Sequence, residues 1–109
     1  MIDVGAYHGE FFRRLGPKLA QGHGVEPLLA APIRTERFAI KPGYLPAVGS
    51  ADLEWDVVSL LAVLEHIPRA AQAELAQACH RYLKSGGLVI VTVPSPCVDR
   101  SFRSCASYA

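Results

Sequence analysis

Apolar residues in this chain fall in short unbroken runs, separated by stretches in which they recur at helical spacing. Met1-Ile2-Asp3-Val4 is one such run, and it ends at Gly5. Phe11, Phe12, Leu15 and Leu19 fall near helical spacing, which predicts an amphipathic helix from about Gly9 that is interrupted or ended at Gly16-Pro17. The pair Phe11 and Phe12 is read as core. His23-Gly24-Val25-Glu26 predicts a second strand, and residues 27–37 hold one short helix broken by Pro32. Arg37-Phe38-Ala39-Ile40 predicts a third strand, followed by Lys41-Pro42-Gly43-Tyr44-Leu45-Pro46, a loop by composition.

Residues 57–64 are apolar with only Ser59 interrupting, as expected of a fourth strand buried on both faces of a parallel sheet. Over residues 68–83, Ala71, Leu75, Ala78 and Tyr82 share one helical face, and Pro68 suits a first turn. Ser85-Gly86-Gly87 stops that helix, and residues 88–93 predict another buried strand. Strands alternating with helices imply βαβ units with right-handed crossovers.

Composition narrows the class. With 109 residues, half of them hydrophobic, the chain forms one domain at most. A formal charge of +1 with mixed signs carries no electrostatic footprint for nucleic acid or an anionic membrane, which weighs against a large polyanion site, and a small-molecule substrate is expected. Cys79, Cys97 and Cys105 are odd in number and without C-x-x-C spacing, so a reducing, cytoplasmic setting is expected. No apolar run approaches the roughly 18 residues of a membrane span.

Candidate chemistry centres on the turn after the first strand. Gly5 and Gly9 stand where the backbone turns sharply and a ligand comes close. Glu26 ends the second strand with a carboxylate that can accept hydrogen bonds from both hydroxyls of a ribose. A dinucleotide fingerprint counted from Gly5 requires glycine where Tyr7 and Glu10 stand. Glu10 also puts negative charge in the first helical turn, where a pyrophosphate would sit. A sulfonium cofactor without phosphate meets no such repulsion.

Asp3-Val4-Gly5-Ala6-Tyr7-His8-Gly9 resembles motif I, D-x-G-x-G-x-G, of the class I S-adenosylmethionine-dependent methyltransferases. Gly24-Val25-Glu26-Pro27 looks like the acidic strand end that follows it in that family. The stretch from Trp55-Asp56-Val57-Val58 to Leu64-Glu65-His66-Ile67-Pro68 is similar to the family's fourth strand. Leu83-Lys84-Ser85-Gly86-Gly87 is similar to its "LKPGG" turn, which leads into the fifth. Four motifs in the right order, spanning residues 1–99, are far more specific than any one alone.

The resemblance implies a three-layer Rossmann-like fold with a mainly parallel sheet of about five strands, in the order 3-2-1-4-5. It implies S-adenosylmethionine as cofactor and methyl transfer as activity. Asp3, Gly5, Ala6, Tyr7 and Gly9 would cradle its amino-acid portion, Glu26 its ribose, and Leu61 and Ala62 would line the pocket past the fourth strand. His66 is the one candidate for a general base.

The resemblance has departures. Tyr7 stands at the family's middle glycine, where a side chain either points away from the cofactor or crowds it. The acid that commonly follows the third strand is replaced by Lys41 and Pro42, with Asp52 and Glu54 the nearest carboxylates. Relatives that hold a divalent cation use Glu-x-x-Glu-His where this chain has Ala62-Val63-Leu64-Glu65-His66, so no metal site is expected. Cys79 and His80, adjacent on a helix, face different ways and read as structural, His23 as a loop histidine, and Trp55 as edge packing.

The family continues with segments before the first strand and after the fifth, and these choose the acceptor. The expectation is therefore a partial domain over residues 1–99, lacking the family's last two strands, with an irregular tail over 100–109. The alternatives are a non-catalytic fragment of such an enzyme and a nucleotide- or NAD-binding Rossmann protein.

Overall fold

An apolar strand as short as the first is stable only when its neighbours cover it on both edges. The computed structural model describes residues 1–45 and 54–95. In it, β1 (Ile2–Val4) runs parallel between β2 (Gly22–Glu26) and β5 (Trp55–Leu61). Asp3 aligns with Gly24 on one side and Ser59 on the other. The sheet is completed by β3 (Ile33–Arg34), β4 (Phe38–Pro42) and β6 (Leu83–Thr92), in the order β3-β4-β2-β1-β5-β6. With the two-residue β3 set aside, this is the predicted order 3-2-1-4-5.

Side chains alternate between the two faces of the sheet and build two cores. On one face, Ile2, Val4, Val25, Val58 and Leu60 meet Leu75, Ala78, Cys79 and Tyr82 of α2 (Arg69–Tyr82). On the other, Phe12 of α1 (Glu10–Leu15) joins Ala6, Leu19, Phe38 and Ile40. The ring of Phe12 lies 5.1 Å from that of Phe38, and Phe11 is only half-buried. Gly16, with φ of 52°, ends α1 and leads into a single 3-10 turn over Gly16–Lys18.

Several predicted boundaries move. No helix forms over residues 27–37. Pro32 removes a backbone donor, and Ile33–Arg34 pairs antiparallel to β4 at the sheet edge instead. The third predicted strand begins at Phe38 and continues through Lys41 and Pro42, which were read as loop. The fourth begins at Trp55 and stops at Leu61, because Ala62 adopts a positive φ of 55° that no strand continues. His23 is a strand residue, half-buried in β2, with its ring 4.6 Å from the buried Trp55.

The strand expected to be buried over residues 88–93 is the sheet edge. Leu88, Val89, Val91 and Val93 are exposed, and no described strand pairs with the outer side of β6. α2 runs directly into β6, and the pairing jumps from Leu83 opposite Trp55 to Leu88 opposite Val57, with Gly86, at a φ of 78°, in the skipped stretch. Among the described residues no helix is long and apolar enough to cross a membrane. Asp52, Cys97, Cys105 and residues 100–109 lie outside the described residues.

Phe12→Ala is expected to cost about 3–5 kcal/mol, because the 1 % exposed ring fills the α1-side core and the short helix has little else to anchor it. Urea unfolding followed by circular dichroism measures this, and a loss below 1 kcal/mol would contradict the two-core description.

Candidate functional site

The chain leaves β1 through a turn whose shape is set by two close approaches. Gly5 has φ of 75°, and a Cβ there would lie 2.5 Å from Cγ2 of Val63. Gly9 has φ of 87°, and a Cβ there would lie 2.7 Å from the Phe38 ring. Only glycine satisfies both the dihedral and the space at these positions. The N–H groups of Gly5 and Ala6 both donate to the Val25 carbonyl, at 2.8 and 3.1 Å, which ties the turn to β2.

Tyr7 takes the left-handed conformation, with φ of 52°, that a glycine would take here. Its side chain is 57 % exposed and its ring sits 4.2 Å from that of His8, so the larger residue is accommodated by turning outward. Its N–H donates to Oε2 of Glu26 at 3.1 Å. The Leu28 N–H donates to Oε1 at 3.3 Å, and the Glu26 carbonyl accepts from Leu29 and Gly43. Glu26, 7 % exposed, thus joins the glycine turn, its own turn and the loop after β4.

Above the carboxyl ends of β1, β2, β4 and β5 these segments enclose a cleft of about 430 Å³. Gly5 and Tyr7 form one wall, Glu26 and Leu28 a second, Tyr44 and Leu45 a third, and Leu61, Ala62 and Val63 a fourth. His66 and Ile67 stand at its edge. Tyr7 and Ala62 are the non-glycine residues with positive φ among those described, and both line this cleft. The Ala62 N–H is held by Thr92, whose Oγ1 and carbonyl accept at 3.0 and 3.1 Å. Backbone in sparsely populated conformations, held by fixed partners, clusters at functional sites, which makes this cleft the candidate.

Of the residues singled out from the sequence, Gly5, Tyr7, Glu26, Leu61, Ala62 and His66 converge on the cleft, while Asp3, Ala6 and Gly9 do not line it. Ala6 and Gly9 face the core between α1 and β4. Asp3, 3 % exposed, accepts a 2.6 Å hydrogen bond from the Ser59 hydroxyl on the sheet face opposite α2. Burial pushes its carboxyl up to about 6; the Ser59 hydrogen bond opposes that rise and the charge of Glu26 adds to it.

Glu65 and His66 lie in a 3-10 turn after β5, with Oε1 and Nε2 3.8 Å apart. No group of three metal-ligating side chains occurs among the described residues. Glu54 is far from the cleft, lining a separate cavity at the amino end of β5 beside Lys84. Glu10 turns back on the loop, its Oε2 accepting from the His8 N–H at 3.2 Å. Arg13 donates to the His8 carbonyl from the same helix.

Leu28 and Tyr44, 86 % and 65 % exposed, are cleft residues that the sequence reading passed over. Their signal was positional: both follow the carboxyl end of a parallel strand, where open α/β sheets bind their ligands.

A mainly parallel sheet with a glycine turn after its central strand, and a buried acid closing the neighbouring strand, is the arrangement of a Rossmann-like α/β domain. The family model described as "Methyltransferase domain" matches residues 1–107, and the chain belongs to that family, as a class I S-adenosylmethionine-dependent methyltransferase domain. No curated protein and no solved structure gives a significant match.

Because its folded pKa is raised from 3.8 to about 6, Asp3 contributes most to stability when protonated, and that contribution is lost as pH rises from about 4 through 6. Asp3→Asn is therefore expected to unfold at higher urea than the parent at pH 7.5, by up to about 3 kcal/mol, and to match it near pH 4. Urea titrations of both proteins at the two pH values check this; a variant destabilised equally at both would show that the charge is compensated.

Proposed function

We propose that the cleft binds S-adenosylmethionine and that the chain transfers its methyl group to a small-molecule acceptor. The observation that carries the reading is Glu26: a buried carboxylate at the end of β2, preorganised by two main-chain N–H groups and facing the same cleft as Gly5. Each carboxylate oxygen accepts more than one hydrogen bond, so capacity remains for the two hydroxyls of a ribose. The apolar walls at Leu28, Tyr44 and Leu45 suit the faces of an adenine ring. Among the described residues of the loop after β4 no carboxylate lines the cleft, and main-chain groups around Gly43 and Tyr44 stand where the polar edge of the base would lie. The amino-acid portion lies toward Gly5 and Ala62, with Asp3, Ala6 and Gly9 supporting the turn from behind.

When bound, S-adenosylmethionine supplies a methyl group already activated by its positive sulfur. What remains for the chain is to hold the acceptor in line and keep water out. His66, largely exposed at the cleft edge, is placed to accept a proton from an acceptor that carries one. The near-neutral charge balance supports a small molecule over a nucleic acid as acceptor. A reducing, cytoplasmic compartment suits the buried free thiol of Cys79.

Calorimetric titration with S-adenosylmethionine, S-adenosylhomocysteine and NAD tests the reading. The two adenosyl ligands are expected to bind and NAD is not. Binding of NAD alone would assign the cleft to a dinucleotide, and absence of all binding by a folded chain would make it a non-catalytic member of its family. Glu26→Ala is expected to weaken S-adenosylhomocysteine by about 1–3 kcal/mol, the usual cost of losing a charged hydrogen-bond partner. An unchanged affinity would remove Glu26 from the site.

A further inference from the structure

The sheet face on which α2 packs carries, beside that helix, a cluster of basic residues. His23 of β2 and Arg34 of β3 both align with Ala39 of β4, so the three form one row across the sheet with their side chains on the same face. Lys41, two residues beyond Ala39, lies on that face as well. Val25, opposite Lys41, belongs to the core under α2, but Arg34, Ala39 and Lys41 take no part in it. Two strand spacings put the backbones of His23 and Arg34 about 10 Å apart, with the Ala39 methyl group as the floor between them. Two cavities, of about 280 and 180 Å³, share Arg34 and Ala39. Lys41 lines the larger, His23, Thr35 and Arg37 line the smaller, and none of these residues lines the cleft at the carboxyl ends of the strands.

The cluster is short of negative charge. Arg34 and Lys41 are exposed and form no ion pair among the described residues, and Glu36, the one carboxylate that lines either cavity, pairs with neither. Arg37 is held by its Nη1, which donates to the Leu19 carbonyl at 3.1 Å. Nδ1 of His23 is buried without a hydrogen-bond partner. Burial holds the His23 imidazole below its ordinary pKa, and the positive charges of the Met1 amino group, Lys41 and Arg34 lower it further, so these cations are felt at its ring. Like charges gathered in this way repel one another, and an anion seated among them relieves the repulsion.

We propose that this hollow is a second binding site, for the phosphate group of a small molecule, with Arg34 and Lys41 as its cationic arms and His23 as its inner wall. A tetrahedral phosphate accepts hydrogen bonds from several directions at once, and the guanidinium fork of Arg34 matches two of its oxygens. A planar carboxylate offers only two oxygens, a poorer match to basic groups that approach from three strands. The chain as a whole is close to neutral, so its positive charge is gathered at one spot and not spread along a surface, which favours a small anion over a nucleic acid. The inference stands apart from the reading of the other cleft as an S-adenosylmethionine site.

The test is titration of the full chain with inorganic phosphate, pyrophosphate and acetate at constant ionic strength, followed by the imidazole resonances of the four histidines and the fluorescence of the single tryptophan. The His23 ring lies 4.6 Å from that of Trp55, so phosphate and pyrophosphate are expected to shift the His23 signals and change Trp55 emission saturably, while His8, His66 and His80 stay unmoved. Arg34→Gln and Lys41→Gln, both at exposed positions, are each expected to weaken phosphate by about three- to tenfold, the effect of losing one charge-assisted hydrogen bond at a partly screened site. Arg14→Gln, on α1, leaves the affinity unchanged. Absence of saturable binding overturns the inference, as does equal weakening by Arg14→Gln, which would show diffuse attraction to the surface. Acetate bound as tightly as phosphate overturns the assignment to a phosphate group. Displacement of phosphate by S-adenosylhomocysteine would place it in the other cleft and overturn the second site.

Discussion

The Glu26 carboxylate is the point at which the fold becomes a site. Its two oxygens take the N–H groups of Tyr7 and Leu28, and its carbonyl takes those of Leu29 and Gly43. The turn after β1 and the loop after β4 would otherwise be separate excursions from the sheet edge. Held by one residue, they become adjoining walls of a single cleft. A carboxylate can do this because it accepts several hydrogen bonds in fixed directions, and burial makes each one costly to lose.

Strain is distributed around the same cleft. Tyr7 and Ala62 both hold positive φ values, and each has its N–H fixed from elsewhere, Tyr7 by Glu26 and Ala62 by Thr92. Tyr7 shows how a family position can lose its glycine and keep its backbone: the left-handed conformation remains, and the ring is carried outward to His8. Asp3 sits one layer deeper, hydrogen-bonded to Ser59 and without a described cation as partner. The acid that closes β2 lines the cleft, and the acid that opens the motif lies behind it.

The central strands were legible in the sequence as short apolar runs, and their order was implied by the resemblance to the family. The glycine turn was legible because Gly5 and Gly9 bracket the start of a helical spacing. Less was legible where local signals are weak or conflict. Residues 27–37 carry no clear period, and the pairing of Ile33–Arg34 with β4 depends on a neighbour, not on propensity. The end of β5 was misplaced because Val63 and Leu64 extend the apolar run, whereas the backbone reverses at Ala62. Leu88 to Val93 looked buried because an edge strand and a central strand can have the same composition.

The sequence by itself determined the class of fold, the position of the turn, and the presence of two acids and a histidine near strand ends. These follow from periodicity and from residue chemistry, both local properties of the chain. Only the tertiary structure decided which of those residues share a cleft. It placed Glu26 in the cleft wall and Asp3 behind it, kept Glu54 at the other end of the sheet, and brought in Leu28 and Tyr44. The reason is geometric: successive residues on a strand point to opposite faces, so a carboxylate's environment is set by strands distant in sequence.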